Sequence, residues 1–436
     1  MNAPRSIILL LPAVLSFGGC ELLNGMSNNS SCTEHSASFD GVVAVEGQLA
    51  QASEVPQIEP YPMAMVLSQD AVNKLFAAVA SAEIPDIVLE DNSLVPVKLT
   101  LSPALPLIQV GGEGLCVSCL LTEVGFGIGV EVAGVGASGA GAGRFQFPLF
   151  MDPQGLENTA VMAQFGQSTL LSVNLTVDGL SDSIMDVIEP MVANAVTGLI
   201  RNQYGDTKLF DIKAWEIGDG DVKLVGQGPH IDAGQRTIVI GMQSNLVRPT
   251  GASIAWNPSL PEGADVGLQF HPELISSMIG RMMHEGHIPR SYDAAGKTSV
   301  AGEHQVTLSS MSATDNDLLR SSFRLWRTGG GFCGFADLQA DLGLSISDRQ
   351  LSFQVQNVLV TDSAGAGDLL QLGSDWLGSD FLSNLINYSQ LTVNYNELAI
   401  PGNKKADMSA ESFRLSLDAQ GLSLFLNIDA IIDADG

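Results

Sequence analysis

The chain has 436 residues, which suits two or three domains at roughly 150 residues each. Hydrophobic residues make up 45% and charged residues 16%, too apolar a composition for a disordered chain. The 48 acidic and 20 basic residues give a net charge of −28, which argues against nucleic acid and against electrostatic docking on an anionic membrane. The 46 glycines and 6% aromatics favour a β-rich chain with many turns. We predict no cofactor and no metal.

The N-terminus has the features of an export signal. A short segment with one cation precedes an apolar stretch, Ser6–Leu15, that is too short to span a membrane. Two glycines then lie directly before Cys20. This ending resembles a bacterial lipobox, in which the cysteine is diacylated and becomes the first residue of the mature protein. We therefore predict a signal peptide at residues 1–19 and a lipid on Cys20, with an ordinary signal peptide cleaved near Gly19 as the alternative.

The residues after Cys20 predict where the protein resides. Glu21 stands where lipoproteins held at the inner membrane often carry Asp, which favours the outer membrane of the cell envelope. The following residues are polar and rich in Ser and Asn. We therefore expect residues 20–40 to form a lipidated N-terminus and a flexible tether.

Four further cysteines are available for disulfides in an exported chain. They are Cys32, Cys116, Cys119 and Cys333, and they allow three pairings. The Cys116–Cys119 spacing also occurs in redox and zinc sites, but the chain has no second CxxC and no histidine near this one. We therefore predict structural disulfides.

The first half begins with a helix and several strands. An amphipathic helix is predicted within Val66–Ile84, with Ser68 as its N-cap and Pro85 beyond its end. Its apolar face comprises Val72, Leu75, Phe76 and Val79. Apolar residues then alternate over 97–101 and 124–132, and the opposite face of the second strand carries Gly125, Gly127 and Gly129. We expect these glycines to leave room on one sheet face, and residues 134–143, rich in Gly and Ala, to form a flexible loop.

The strongest helical pattern of the chain follows. Apolar residues keep the 3-4 spacing over about five turns at Ile184, Val187, Ile188, Met191, Val192, Ala195, Val196, Leu199 and Ile200. Ser181 is a candidate N-cap and Gly205 a candidate stop, and Pro190 predicts a kink. Further strands are predicted at 210–217, 222–225 and 238–240.

The second half repeats the order of the first. When the two halves are aligned with an offset of 203 positions, Val72 matches Ile275 and Phe76 matches Ile279. Strands are then predicted at 338–346 and 351–355, a helix at 376–388, a strand at 391–395 and a terminal hairpin at 413–426. This repetition predicts two copies of one unit, with domains at 41–240 and 241–436.

This order resembles the tubular lipid-binding superfamily, specifically the family of bactericidal permeability-increasing and lipopolysaccharide-binding proteins. The resemblance rests on Met65–Pro85, Asp178–Val225 and the run Val266–Ile275, and it covers about residues 40–436. It implies an α+β fold of two tandem curved antiparallel sheets, each wrapped around a long helix, in an elongated pseudo-symmetric arrangement. It also implies an apolar pocket between helix and sheet that holds acyl chains.

The charge of the first half departs from the lipopolysaccharide-binding members, which use basic residues there. Residues 20–235 carry 7 Lys and Arg against 26 Asp and Glu. The sequence therefore favours an apolar or neutral lipid over a phosphorylated one.

These observations predict a lipoprotein that binds or transfers lipid in an apolar tunnel, without catalysis. Its partners would be lipid and the membrane that holds its anchor, and the oligomeric state is left open. The expected pocket residues are Phe76, Val79, Val187, Ile188 and Met191 in the first half, with Met278 and Met282 in the second.

Two other functions compete with lipid binding. The first is a structural or adhesion lipoprotein in which side chains fill both domains. The second is a hydrolase, which the sequence disfavours because residues 136–140 lack the last glycine of a Gly-x-Ser-x-Gly elbow. His284 and His287 are spaced i, i+3 at a helix end and are interpreted as surface residues.

Overall fold

The helices and strands are taken from a computed structural model of the chain. It describes residues 21–51, 61–79, 86–91, 97–111, 116, 118–154, 158–213, 215–217, 220–222, 224–246, 260–314, 318–327, 334–347, 350–364, 397–416 and 421–434. The α-helices among these residues are α1 (Glu21–Gln51), α2 (Gln69–Val79), α3 (Asp182–Leu199) and α4 (Pro272–Glu285). A 3-10 turn covers Phe165–Gln167, and a π-helical turn, Ile200–Tyr204, extends α3.

The strands of the first half are β1 (Met63–Ser68), β2 (Ile87–Asp91), β3 (Val97–Pro103), β4 (Leu107–Gln109), β5 (Cys119–Val132), β6 (Val135–Pro153), β7 (Asn158–Gln164), β8 (Thr169–Val177), β9 (Asp206–Lys213), β10 (Trp215–Ile217), β11 (Gly220–Val222), β12 (Leu224–Asp232) and β13 (Thr237–Ser244). Those of the second half are β14 (Val266–Phe270), β15 (Ser291–Tyr292), β16 (His304–Ala313), β17 (Leu319–Arg327), β18 (Gly334–Ser347), β19 (Gln350–Ala364), β20 (Glu397–Ile400), β21 (Lys404–Ser416) and β22 (Gly421–Asp433).

The described strands form antiparallel sheets. Fifteen of them make one large sheet with the order β12-β13-β1-β14-β22-β21-β20-β9-β7-β6-β5-β3-β2, to which β4 and β8 attach through β5 and β6. A five-stranded sheet, β15 to β19, belongs to the second half, and β10 and β11 form a small hairpin.

Strands from both halves share the large sheet, so the expectation of two separate sheets is wrong in this respect. Six strands follow the order β12-β13-β1-β14-β22-β21, in which each half contributes a strand, β1 or β14, and its terminal hairpin. The antiparallel ladder between β1 and β14 has its midpoint at Met65 opposite Leu268. These two residues are also equivalent at the offset of 203 positions. The strand order and the register therefore relate the two strand-helix units by a local pseudo-twofold axis between Met65 and Leu268.

The predicted boundary between residues 240 and 241 falls inside β13. Every residue of β13 is buried, and the strand pairs with β1 on one side and β12 on the other. Residues 240 and 241 thus lie within one strand, and the division of the chain into two domains stays a prediction.

The prediction of a flexible tether at residues 20–40 is wrong from Glu21 onward. Cys20 itself lies outside the described residues. Residues 21–51 form α1, although their Ser and Asn content gives a weak intrinsic helix preference. Contacts with the second half supply the stabilisation. Phe39 packs edge-on against Trp326 with ring centroids 5.7 Å apart, and the buried Glu46 pairs with Arg290. Tertiary packing therefore overrides the local sequence preference.

The predicted flexible loop at 134–143 is also wrong beyond the turn at Gly134, because residues 135–143 belong to β6. They pair with β5 along the whole segment and with β8 on the other side. Gly141 lies opposite Phe126, and a Cβ at Gly141 would lie 2.5 Å from the Phe126 ring. Glycine is thus needed on this strand because a large side chain covers its backbone.

The predicted helices are confirmed where the structure describes them. Ser68 Oγ accepts a hydrogen bond from the Ala71 N–H at 3.1 Å and so caps α2 as predicted. α4 begins after His271, whose Nδ1 accepts from the Glu273 N–H at 3.1 Å. Burial lowers the pKa of His271, against the opposing effect of Glu273, and so favours the neutral imidazole that this bond requires.

Several predictions lie outside the described residues. These are Pro85, the helix at 376–388 and the strand at 391–395. The alternation at 97–101 and 124–130 is confirmed by β3 and β5, whose apolar side chains are buried.

Candidate ligand-binding site

Helix α3 packs against both outer strands of a five-strand group in the large sheet. The strands β2, β3, β5, β6 and β8 are hydrogen-bonded in that order. Among the described strands, β2 pairs with β3 alone and β8 with β6 alone, and both pack against α3. The helix therefore bridges the two outer strands of this group, where no strand pairing joins them.

Only a narrow stripe of α3 is fully buried. Its members follow one another every four residues: Ile188, Val192, Val196 and Ile200, each 0% exposed. Other apolar residues of the helix are only partly buried: Ile184, Met191, Ala195 and Leu199. Val187 is 49% exposed. By length and composition Asp182–Tyr204 could cross a membrane, a criterion that a helix inside a protein core also meets.

The inner faces of the two marginal strands are partly exposed as well. The apolar side chains concerned are Ile87 and Leu89 on β2, with Val173, Leu175 and Val177 on β8. In the strands between them, by contrast, Leu99, Leu101 and Val130 are 2% exposed or less. Apolar surface that water reaches thus follows both lines along which α3 meets the sheet. We call the partly buried apolar side chains of α3, β2 and β8 the apolar rim.

An aromatic cluster lies at the C-terminal end of α3. It comprises Phe76 of α2, Phe147 of β6, Phe165 of the 3-10 turn and Tyr204 of the π-helical turn. The Phe165 ring centroid lies 4.3 Å from that of Phe147 and 5.5 Å from those of Phe76 and Tyr204. Tyr204 and Phe76 are 5.8 Å apart. These distances are typical of packed aromatic rings.

Hydrogen bonds hold the two turns of this cluster together. The Arg201 guanidinium donates to the Ser168 carbonyl from Nε at 3.2 Å and from Nη2 at 2.7 Å. The Gly166 N–H donates to the Gly205 carbonyl at 3.0 Å. The backbone that carries Tyr204 is therefore fixed against the turn that carries Phe165.

The Tyr204 hydroxyl is buried without a hydrogen-bond partner among the described residues. Burial raises the pKa of this phenol to about 12. The group is therefore neutral and able to donate a hydrogen bond at physiological pH. Most buried tyrosine hydroxyls are bonded, as Tyr292 is to the Pro289 carbonyl at 2.7 Å.

The predicted pocket residues of the first half fall into three groups. Phe76 and Ile188 are fully buried, Val79 and Met191 are partly buried, and Val187 lies on the exposed side of α3. Phe76 meets Tyr204 in the aromatic cluster, while Met191 contributes to the apolar rim.

The room expected beside Gly125, Gly127 and Gly129 lies on the outer face of β5. There, a Cβ at Gly125 would meet no heavy atom within 4 Å. The core face of β5 carries Phe126 and its apolar neighbours instead.

The second half offers a different environment around its predicted residues. Met278 is buried and Met282 partly buried on α4, which packs against α1 and β16. The two helices approach closely, since a Cβ at Gly47 would lie 2.9 Å from the His284 ring. α1 thus occupies part of the α4 surface.

Cys116 and Cys119 form a disulfide at the start of β5, with Cα atoms 5.5 Å apart. This pairing is one of the three that the sequence allows. Cys333 lies outside the described residues, as does the side chain of Cys32. Within the described residues, no group of three or more His, Cys, Asp or Glu side chains could hold a metal ion.

Sequence reasoning missed Phe165 and Tyr204. A signal for Tyr204 is present, because the buried stripe of α3 continues by one further step of four from Ile200 to Tyr204. Phe165 has no such signal, since a three-residue turn has no periodicity.

Comparison with known proteins gives structural similarity alone. No family model and no curated protein sequence matches the chain significantly. P47 of Clostridium botulinum E1 aligns with a TM-score of 0.46 and 11% identity, over 85% of this chain and 99% of its own. P47 from Clostridium botulinum A2 aligns at 0.44 and 12%, over 84% and 97%. A lipopolysaccharide binding protein aligns at 0.39 and 10%, over 86% and 100%.

The third of these structures, the lipopolysaccharide binding protein, carries the name of the family that the sequence resembles. With TM-scores below 0.5 and identities near 10%, these alignments add no weight to a functional argument.

Proposed function

We propose that the protein binds a lipid, or another elongated apolar ligand, between α3 and the first-half strands. The observation that carries this proposal is the apolar rim. Apolar side chains on α3, β2 and β8 stay partly exposed along both lines where the helix meets the sheet. A ligand that entered there would cover them.

Burial of the apolar part of such a ligand would contribute a large favourable free energy of binding. Burial of one CH₂ contributes about 0.8 kcal/mol, so ten methylenes contribute about 8 kcal/mol before ordering costs. The acidic first half favours a neutral or weakly charged ligand, because 7 basic residues stand against 26 acidic ones over residues 20–235. The proposed activity is binding or transfer, with no covalent step.

The arrangement of the strands around each helix and the membrane anchor form part of the same proposal. The first-half strands would curve around α3 and the second half would repeat this plan around its own helix. A diacylated Cys20 would hold the protein at a membrane of the cell envelope, with the outer membrane favoured. These features are supported by the sequence patterns at residues 1–21 and by the contacts of α3 with β2 and β8.

The first experiment identifies what the protein carries. A Cys20→Ser variant, which lacks the proposed anchor, is purified without detergent and extracted with organic solvent, and the extract is analysed by mass spectrometry. Lipid present in stoichiometric amount supports the proposal, and its neutral or charged headgroup tests the charge argument.

The second experiment blocks the site. Met191→Trp places a large ring at the apolar rim, and Asn194→Trp places the same ring at an exposed position of α3 as the matched control. We expect Met191→Trp to abolish uptake of the neutral fluorophore N-phenyl-1-naphthylamine with little loss of stability, and Asn194→Trp to leave uptake unchanged.

The competing function, a filled structural domain, predicts a different result. Met191→Trp would then overpack a closed core and lower the free energy of unfolding by about 1–3 kcal/mol. If the wild-type protein also takes up no fluorophore and carries no lipid, lipid binding is excluded.

A further inference from the structure

The Tyr204 hydroxyl is an unexplained polar group in an apolar part of the molecule. It is buried, and it has no hydrogen-bond partner within the described part of the chain. A buried donor without a partner is destabilising. Such a group in a native structure therefore calls for a partner outside the described part of the chain, and a bound ligand is one such partner.

The position of the hydroxyl is fixed by the surrounding structure. Arg201 and Gly205, on either side of Tyr204, are each hydrogen-bonded to the turn at 165–168. Phe76 and Phe165 pack against the tyrosine ring. A donor held this rigidly is preorganised for an acceptor in one place.

The same surroundings define the acceptor. Burial is the cause of the raised pKa of Tyr204, so the phenol keeps its proton at neutral pH. The ring lies one helical step beyond the buried stripe of α3, at the end of the helix whose flanks form the apolar rim. The acceptor is thus an oxygen on a mostly apolar molecule, and the acidic charge of this half favours an uncharged one.

We propose that Tyr204 donates a hydrogen bond from Oη to a neutral carbonyl oxygen, such as that of an ester, in the ligand bound beside α3. This inference rests on the proposed function. It adds a specific polar contact and a ligand class, neutral esters, to a site otherwise lined with apolar side chains.

The test compares an ester with an alkane of the same chain length. Methyl tetradecanoate and tetradecane, both delivered from cyclodextrin, compete with N-phenyl-1-naphthylamine on wild-type protein and on Tyr204→Phe. We expect Tyr204→Phe to weaken competition by the ester about five- to tenfold, the size of one net hydrogen bond, and to leave competition by the alkane unchanged. Tyr292→Phe is the matched control, because its hydroxyl is bonded within the second half, and it should leave both unchanged.

The outcomes separate this inference from the proposed function. If wild type binds the fluorophore and both competitors, and Tyr204→Phe binds them equally well, the hydroxyl contact is wrong and lipid binding stands. An internal water on the hydroxyl would give this result. If wild type binds neither the fluorophore nor the competitors, both proposals fall. Thermal unfolding of Tyr204→Phe, expected at or above the wild-type midpoint, shows that a loss of ester binding is not a loss of fold.

Discussion

Lys74 of α2 donates a hydrogen bond from Nζ to Oδ2 of Asp265 at 2.6 Å, which joins a helix of the first half to the segment before β14 of the second. The same carboxylate oxygen accepts from the Ile428 N–H of β22 at 2.7 Å. Lys74 also donates to the Ile428 carbonyl at 3.1 Å. One buried carboxylate thus ties α2 to two strands of the second half.

Asp265→Ala should therefore destabilise the protein. It leaves the Ile428 N–H without this acceptor and removes the partner of Lys74, for an expected loss of about 2–3 kcal/mol in the free energy of unfolding. Lys74→Met should lower the free energy of unfolding by about 1 kcal/mol at most, because the lysine side chain is nearly half exposed. Urea unfolding followed by circular dichroism measures both, and equal losses would contradict the central role of the carboxylate.

Two glycines of α1 should respond in opposite ways to a side chain. At Gly47 a Cβ would lie 2.9 Å from the His284 ring, whereas at Gly41 nothing lies within 4 Å. Gly47→Leu should therefore loosen α1 from α4 and expose α1 to proteolysis. Gly41→Ala should raise stability by about 0.5–1 kcal/mol, the usual gain inside a helix. If both variants behave alike under limited proteolysis, α1 does not pack against α4 as described.

A second glycine pair tests the assignment of β6 as a strand. Gly141→Val would bring a Cβ within 2.5 Å of the Phe126 ring, and should lower the free energy of unfolding by about 1–3 kcal/mol. Gly125→Val, on the adjacent strand, meets open space and should be neutral or slightly stabilising, since valine favours strands. A flexible loop at 134–143 would tolerate both changes, and that result from chemical denaturation would overturn the assignment.

The raised pKa of Tyr204 predicts a loss of stability at high pH. Burial disfavours the phenolate in the folded state, where the pKa is about 12, while the unfolded chain titrates near the ordinary value of 10.0. Below pH 10 the phenol is protonated in both states and contributes no pH dependence. Between pH 10 and 12 only the unfolded state loses the proton, so stability falls as pH rises. Wild type should lose stability over this window relative to Tyr204→Phe in urea unfolding, and parallel curves would contradict the buried environment.

The sequence by itself determined the elements that depend on local periodicity. The 3-4 spacing of apolar residues predicted α2, α3 and α4, and the alternation at 97–101 and 124–130 predicted β3 and β5. The equivalence of Val72 with Ile275 predicted that α4 follows the pattern of α2, and each of these helices comes directly after a strand of the large sheet. Each of these patterns follows from which face of one element is buried, and a few turns or residue pairs are enough to show it.

Tertiary structure decided the features that depend on contacts between distant segments. α1 is a helix because Glu46 and Phe39 find partners in the second half, which no local preference of a Ser- and Asn-rich segment reveals. β6 is a strand because β5 and β8 pair with it, although its Gly and Ala content has a weak preference for strands. The unbonded hydroxyl of Tyr204 likewise follows from its neighbours. Which distant segments pair with one another leaves no periodicity in the sequence, so only the folded chain shows these contacts.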